Sequence, residues 1–399
     1  MKTDMIYLAK GGFWLSFGQI LVSLIGLGVA IAFANLLPKE TYGTYRFAIS
    51  IINILVIAAL PGLNGALTQA IARGYEGYYK QAVIQKIKFG LLGSLMSLAI
   101  SAYYFINGNN TLSLIFIISA LFIPLITSFN VWLSLLVGRR KFKTISHRQI
   151  FVKLFVSIAI IATIFFTKNI FILVLVFFVS NITAHLILHA KILIQNPPNN
   201  KDDKGVLKYG KELTGIIIIQ EIANNIDNIL IFHFLGSAEV AIYSIAMGPI
   251  KQIRSPLNSF RNLLVPKLAK KNIAGLKKTL FAKLLKTYVI IIPIVFLYIF
   301  IAPWFYNTFF PLYNSSIVLS QVLSISLLFF PSIIIESLLD SHKKTKQIYK
   351  TKLIYFFLKI ILLLTLTPLL GIWGVVYALL AAETVLYITY IGVFRRIEA

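Results

Sequence analysis

Apolar positions in this chain neither alternate with polar ones nor stripe one face of short helices; they gather into runs of about twenty residues divided by short polar breaks. The runs lie at approximately 12–37, 42–67, 87–106, 111–137, 150–167, 169–194, 209–235, 239–262, 284–309, 314–340, 350–369 and 372–394. Each is long enough to cross a ~30 Å hydrocarbon slab as a helix. They are too long and too uniformly apolar for the alternating strands of a membrane barrel. The pattern predicts an all-α polytopic membrane protein with twelve transmembrane helices.

Composition agrees. Of 399 residues, 58% are hydrophobic and 13% charged, whereas a soluble domain runs about 45–50% apolar and about 25% charged. Twelve spans leave no room for a soluble catalytic domain, so the sequence does not read as an enzyme. The absence of a GxxxxGK[ST] loop argues against an ATP-driven pump. With no cysteine, disulfides and thiolate metal sites are excluded, and no motif calls for a cofactor. The first run, 12–37, is too long for the 7–15-residue core of a signal peptide.

The net charge of +25 would point to nucleic acid in a soluble protein. Here it follows the spans. With the N-terminus inside, 34 of the 38 Lys and Arg fall on the inner side, Lys39, Arg46 and Lys168 lie opposite, and Lys359 sits within a span. By the positive-inside rule both termini are cytoplasmic in a cytoplasmic (inner) membrane, and no nucleic-acid partner is expected.

The polar segment Asn196-Pro-Pro-Asn-Asn-Lys-Asp-Asp-Lys204 reads as a linker between halves. It divides the chain into an N-terminal six-helix lobe (1–195), a cytoplasmic linker (196–208) and a C-terminal six-helix lobe (209–399). The halves resemble one another: Leu37 and Leu235, Tyr45 and Tyr243, and Ala48 and Ala246 each differ by 198 positions. Six spans per half keep the copies in one orientation, so the lobes should be related by a pseudo-twofold along the membrane normal.

Polar groups inside the spans are the candidates for function, because a charge at the bilayer centre costs about 2.5–3.5 kcal/mol or more. The seventh span carries Gln220, Glu221, Asn224, Asn225, Asp227 and Asn228. Of these, Gln220, Asn224, Asp227 and Asn228 share a face at helical spacing and should line a wet substrate cavity. Lys251 and Arg254 lie on one face of the eighth span, in reach of phosphate oxygens. Lys251 stands 198 positions after Asn53, which with Gln19 extends the expected cavity into the first lobe. Depth arithmetic pairs Glu221 with Lys251 across the turn at Gly236, and Lys359 with Glu383 across Gly371. Glu221 and Asp227 are the candidates for a coupling ion, H+ or Na+; Lys359 and Glu383 form a structural or coupling pair. Pro61-Gly62, Pro249 and Pro256 should interrupt spans two and eight. His185 and His189 are four apart but lack a third ligand, so no metal site is expected. Lys267–Lys286 reads as an amphipathic basic helix on the anionic inner leaflet, or as a topology signal only. Arg261 reads as an inner-leaflet anchor.

The segment Leu36-Leu37-Pro-Lys-Glu-Thr-Tyr-Gly-Thr-Tyr45 after span one resembles the L-G-P-x-x-Y/F-G-x-Y turn of polysaccharide-biosynthesis export proteins. Asp227-Asn-Ile-Leu-Ile-Phe-His-Phe-Leu-Gly236 with Tyr243-Ser-Ile-Ala246 looks like its second-half counterpart. Pro38 and Gly236 stand in non-equivalent places, which departs from the pattern. Wzx-type O-antigen flippases belong to this group, within the superfamily of multidrug extruders and lipid II flippases. The resemblance implies two six-helix lobes around a central cavity. It also implies a flippase that moves a polyprenyl-pyrophosphate-linked oligosaccharide, as for O-antigen, lipopolysaccharide or capsule, by alternating access. Its partners would be that substrate, membrane lipids and a polysaccharide polymerase machinery, with the flippase itself a monomer. A multidrug cation antiporter is the nearest rival, though the Lys251/Arg254 pair disfavours it. A lipid II flippase would carry several arginines in spans one and two, where this chain has only Arg46. A membrane polymerase or ligase would need a larger outer loop.

Overall fold

The computed structural model describes residues 2–259, 268, 273–342 and 344–396. The fold is all-α, and no strand occurs among the described residues. The helices are α1 (Lys2–Leu36), α2 (Lys39–Leu55), α3 (Gly62–Ala72), α4 (Tyr79–Ile106), α5 (Asn110–Ile126), α6 (Val131–Gly138), α7 (Phe142–Phe166) and α8 (Ile170–Gln195). They continue with α9 (Val206–Leu235), α10 (Ser237–Ser259), α11 (Ile273–Phe309), α12 (Ser315–Ser324), α13 (Ser332–Ser341), α14 (Thr345–Leu370) and α15 (Ile372–Arg396). Eleven helical stretches among the described residues are long and apolar enough to cross a membrane. The span expected at 239–262 is α10, less apolar than the rest because it carries Glu239, Lys251 and Arg254.

Among the described residues three spans are broken rather than straight. Between α2 and α3 the chain passes through a 3-10 turn, Val56–Ala59, and Leu60 adopts φ 52°, a left-handed conformation that costs a branched residue energy. Pro61 follows and supplies no N–H to continue the ladder, so the interruption expected at Pro61-Gly62 is present. Between α5 and α6, downstream of Pro124, a second 3-10 turn covers Ser128–Asn130. A third, Ile325–Phe329, precedes Pro331 between α12 and α13. Pro249 and Pro256 do not break their span: α10 is helical through both, which corrects the expectation of a matching interruption in span eight.

Contacts divide the chain into two compact units. One comprises 13–37 and 44–225; the other comprises 1–12, 38–43 and 226–399. The division falls inside α9, between Asn225 and Ile226, and not in the polar segment 196–208. That segment is bound to the first unit along its length. Arg139 donates to both carboxylate oxygens of Glu76 (2.8 and 2.6 Å) and to the carbonyls of Asn196 and Pro197 (3.2 and 2.9 Å). The Asn199 N–H donates to Glu76 at 2.8 Å, the Gly77 N–H to the Lys201 carbonyl at 2.8 Å, and Arg73 pairs with Asp203 at 2.7 Å. Past the strap, Gly62 and Gly210 let α3 and α9 meet backbone to backbone; a Cβ at Gly62 would lie 2.4 Å from the Thr214 nitrogen. The first half of α9 is thereby held in the first unit.

Residues 38–43, Pro38 and the start of α2 within the segment that carries the family resemblance, sit in the second unit. A Cβ on Gly43 would fall 1.7 Å from the Ser237 carbonyl oxygen, so only glycine fits where this segment meets the start of α10. Leu268, Leu280 and Leu284 are buried against Ile334, Leu338 and Phe394. From Ile273 onward the basic stretch is the start of helix α11, whose Leu280 and Leu284 are buried while Phe281 and Leu285 are exposed. Arg261, and residues 267 and 269–272 of that stretch, lie outside the described residues.

Candidate functional site

Within the second unit, α9, α10, α14 and α15 bring four charged side chains into the apolar interior. Lys359 Nζ lies 2.7 Å from Asp227 Oδ1, with side chains 4% and 7% exposed. Tyr243 donates its hydroxyl to the other Asp227 oxygen at 2.9 Å. Arg254 binds both oxygens of Glu383 (2.8 and 2.7 Å) and donates to the Ser326 carbonyl at 2.6 Å. That carbonyl lies in the 3-10 break of its span, where the helical acceptor pattern is interrupted and a carbonyl becomes available to a side chain.

These contacts correct two expected pairs. Lys359 pairs with Asp227 and not Glu383, and Glu383 takes Arg254. Partner choice depends on which way each helix turns its face, which spacing from the turn does not report. The Glu221 carboxylate forms no ion pair among the described residues, against the expected bond to Lys251. Arg254 is committed to Glu383 and does not stand as a ready phosphate donor, whereas Lys251 is exposed. Asp227 is a buried, doubly held carboxylate rather than an open ion ligand. Tyr243 had been noted only as a repeat and motif position; its task as the hydroxyl that holds Asp227 needed the fold.

The polar face of α9 is divided in the same way. Gln220 and Asn224 are exposed, Glu221 is half-buried, and Asn225, Asp227 and Asn228 are buried. Exposed Asn53 donates to Asn225 Oδ1 at 3.2 Å, and Asn225 in turn donates to the Glu221 carbonyl at 2.9 Å. Gln19 is half-buried on α1. In the first unit, then, the expected cavity residue Asn53 meets Asn225, which lies off the expected face, and the amides of Gln220 and Asn224 remain on the surface of a membrane helix.

A second buried cluster in the first unit escaped the sequence reading. Lys86, which charge counting had placed among the inner-side topology residues, is 0% exposed. Its ammonium donates to Asn64 Oδ1 at 3.2 Å and Asn130 Oδ1 at 3.4 Å. Asn64 also donates to Asn130 Oδ1 at 3.1 Å. The two histidines of α8 hold structural bonds: His185 Nδ1 accepts from the Trp132 indole at 3.1 Å, and His189 Nδ1 bonds the Tyr79 hydroxyl at 3.0 Å. No group of three metal-ligating side chains occurs among the described residues.

Residues 8–271 match the model of a family described as polysaccharide biosynthesis protein. None of the curated proteins matches the sequence closely. Solved structures share the fold across nearly the full length. An outward-facing multidrug resistance MATE family transporter of the MOP superfamily is 14% identical, with 97% of this chain and 95% of that one covered and a TM-score of 0.65. A MOP superfamily transporter from Pyrococcus furiosus, whose binding pocket is described as of reverse polarity, is 15% identical over 97% and 96% with a TM-score of 0.63. A eukaryotic MATE transporter is 10% identical over 98% and 97% with a TM-score of 0.66.

Proposed function

Since the chain belongs to the polysaccharide biosynthesis protein family, we propose that it is a flippase for a polyprenyl-pyrophosphate-linked oligosaccharide, a precursor of O-antigen, capsule or a similar surface polymer. It works by alternating access in the cytoplasmic membrane, with both termini cytoplasmic, as a monomer alongside a polymerase machinery. The observation that supports an anionic cargo is the state of the span-embedded cations. Lys359 and Arg254 are buried beside Asp227 and Glu383, and Lys251 is exposed near the middle of α10. An exposed ammonium can neutralise phosphate oxygens, and the pyrophosphate of the cargo supplies them. Exposed Gln220, Asn224 and Asn53 offer amides to sugar hydroxyls. Glu221, half-buried and without an ion pair among the described residues, is the carboxylate best placed to take a coupling H+ or Na+.

Reconstitution tests the reading. Lys251→Ala should lower the rate of lipid-linked oligosaccharide flipping in proteoliposomes at least tenfold while the thermal unfolding of the protein stays that of the parent. Undiminished flipping removes Lys251 from the site. Proton-driven efflux of organic cations, with no flipping, would instead favour the multidrug antiporter reading that the shared fold also accommodates.

A further inference from the structure

Lys86 stands in an unusual place for a membrane lysine. A lysine near the end of a span ordinarily extends its flexible stem until the ammonium reaches water. Lys86 begins its third helical turn after Tyr79, close enough to that end to do so, yet it is completely buried. All its bonds go to two neutral amide oxygens, at 3.2 and 3.4 Å, and it forms no ion pair among the described residues. An isolated ammonium in such a place lacks the compensation a buried charge requires. A neutral amine, with two N–H donors for two acceptors, matches the site donor for acceptor.

The elements around it add no counter-charge. Helices α3, α5 and α6 and the 3-10 turns at 56–59 and 128–130 contribute no titratable side chain at all, and α9 brings to α4 the cation Lys211, over the Phe89 ring at 4.9 Å. On α8 the Nδ1 of His185 already accepts from Trp132. On α4 itself, Tyr79 is engaged by His189.

The two acceptors are placed where a change of charge would move something. Asn64 is the third residue of α3, directly after the left-handed Leu60 and Pro61. Asn130 ends the 3-10 turn that separates α5 from α6. Lys86 therefore ties together the downstream sides of two helix breaks, and Asn64 and Asn130 are bonded to each other across the same point. Added charge on the amine draws both amide oxygens in and gains a third donor; its loss relaxes the pair. Two hinges sharing one titratable group make a two-state element that proton binding can bias.

We propose that Lys86, with Asn64 and Asn130, is a proton-binding site of the first unit, whose loading sets the geometry of both broken spans. The proposal extends the transport reading by naming the coupling ion: an amine takes H+ and has no affinity for Na+.

The test uses the whole protein in lipid nanodiscs and needs no transport substrate. Of its four tryptophans, Trp132 follows Asn130 by two residues and bonds His185, so Trp14, Trp304 and Trp373 are changed to Phe and emission is followed from about pH 6 to pH 10, between the ordinary ranges of His and Lys. The parent should show one transition, insensitive to Na+. Lys86→Met and Lys86→Gln should abolish it, and Lys86→Arg, whose charge is permanent, should abolish it even if the two neutral variants fail to fold. His185→Asn should retain it. No transition in the parent, an unchanged transition in a Lys86 variant, or loss in His185→Asn overturns the assignment. If the transition behaves as expected while no lipid-linked oligosaccharide is flipped, the flippase reading falls and the proton site stands.

Discussion

Lys359 and Asp227 stay buried only because each cancels the other, and Tyr243 occupies the remaining carboxylate oxygen. Removing one partner leaves a bare charge in the interior, whereas removing both leaves none. Lys359→Met should therefore destabilise the protein by about 3–5 kcal/mol, and adding Asp227→Asn should restore most of it, since an amide still accepts from Tyr243. Thermal unfolding of the four members of this cycle in nanodiscs measures the coupling. Adding Glu383→Leu instead should give no rescue, because Glu383 belongs to Arg254. These residues were legible as expensive side chains that need a task. Their partners were not: residue spacing from a turn reports depth, and partner choice also needs rotation of each helix about its axis.

Among the elements, the strap at 196–203 differs most from its sequence. Pro, Asn and charged residues in a row read as a linker between halves, yet Glu76 and Arg139 anchor it at several points within one unit. The two Arg139 donors, joined by the Asn199 N–H, hold the Glu76 carboxyl below its ordinary range despite the opposing effect of burial. A carboxylate with a lowered value in the folded state contributes stability above the ordinary carboxylate range. That contribution is lost as pH falls through the folded value. Unfolding temperature should thus drop on acidification more steeply in the parent than in Glu76→Gln. At neutral pH the variant should already be about 1–3 kcal/mol less stable. The helix breaks were half legible: Pro61-Gly62 announces one, but Pro249 sits in an unbroken helix. Missing N–H groups mark where a helix can yield, and tertiary packing decides whether it does. Lys86 was read for its sign alone, since nothing local shows that α3 and α6 would close over it.

At the scale of the whole molecule, the absence of cysteine makes topology directly measurable. Asn109→Cys should react with a membrane-impermeant maleimide in intact cells, and Lys204→Cys only after the membrane is opened. Labelling of both from one side would refute the orientation drawn from Lys and Arg. The number and kind of spans, the repeat in two halves and the membrane setting all follow from the sequence, because burial in lipid needs only a long apolar helix with its own hydrogen bonds. Tertiary structure alone decided which acid neutralises which base, that α9 is shared between two compact units, and that a lysine counted as a surface charge is sealed between two helix breaks. Each of those depends on directions around helix axes and on close approaches such as Gly43 to Ser237, quantities that a linear pattern of hydropathy does not contain.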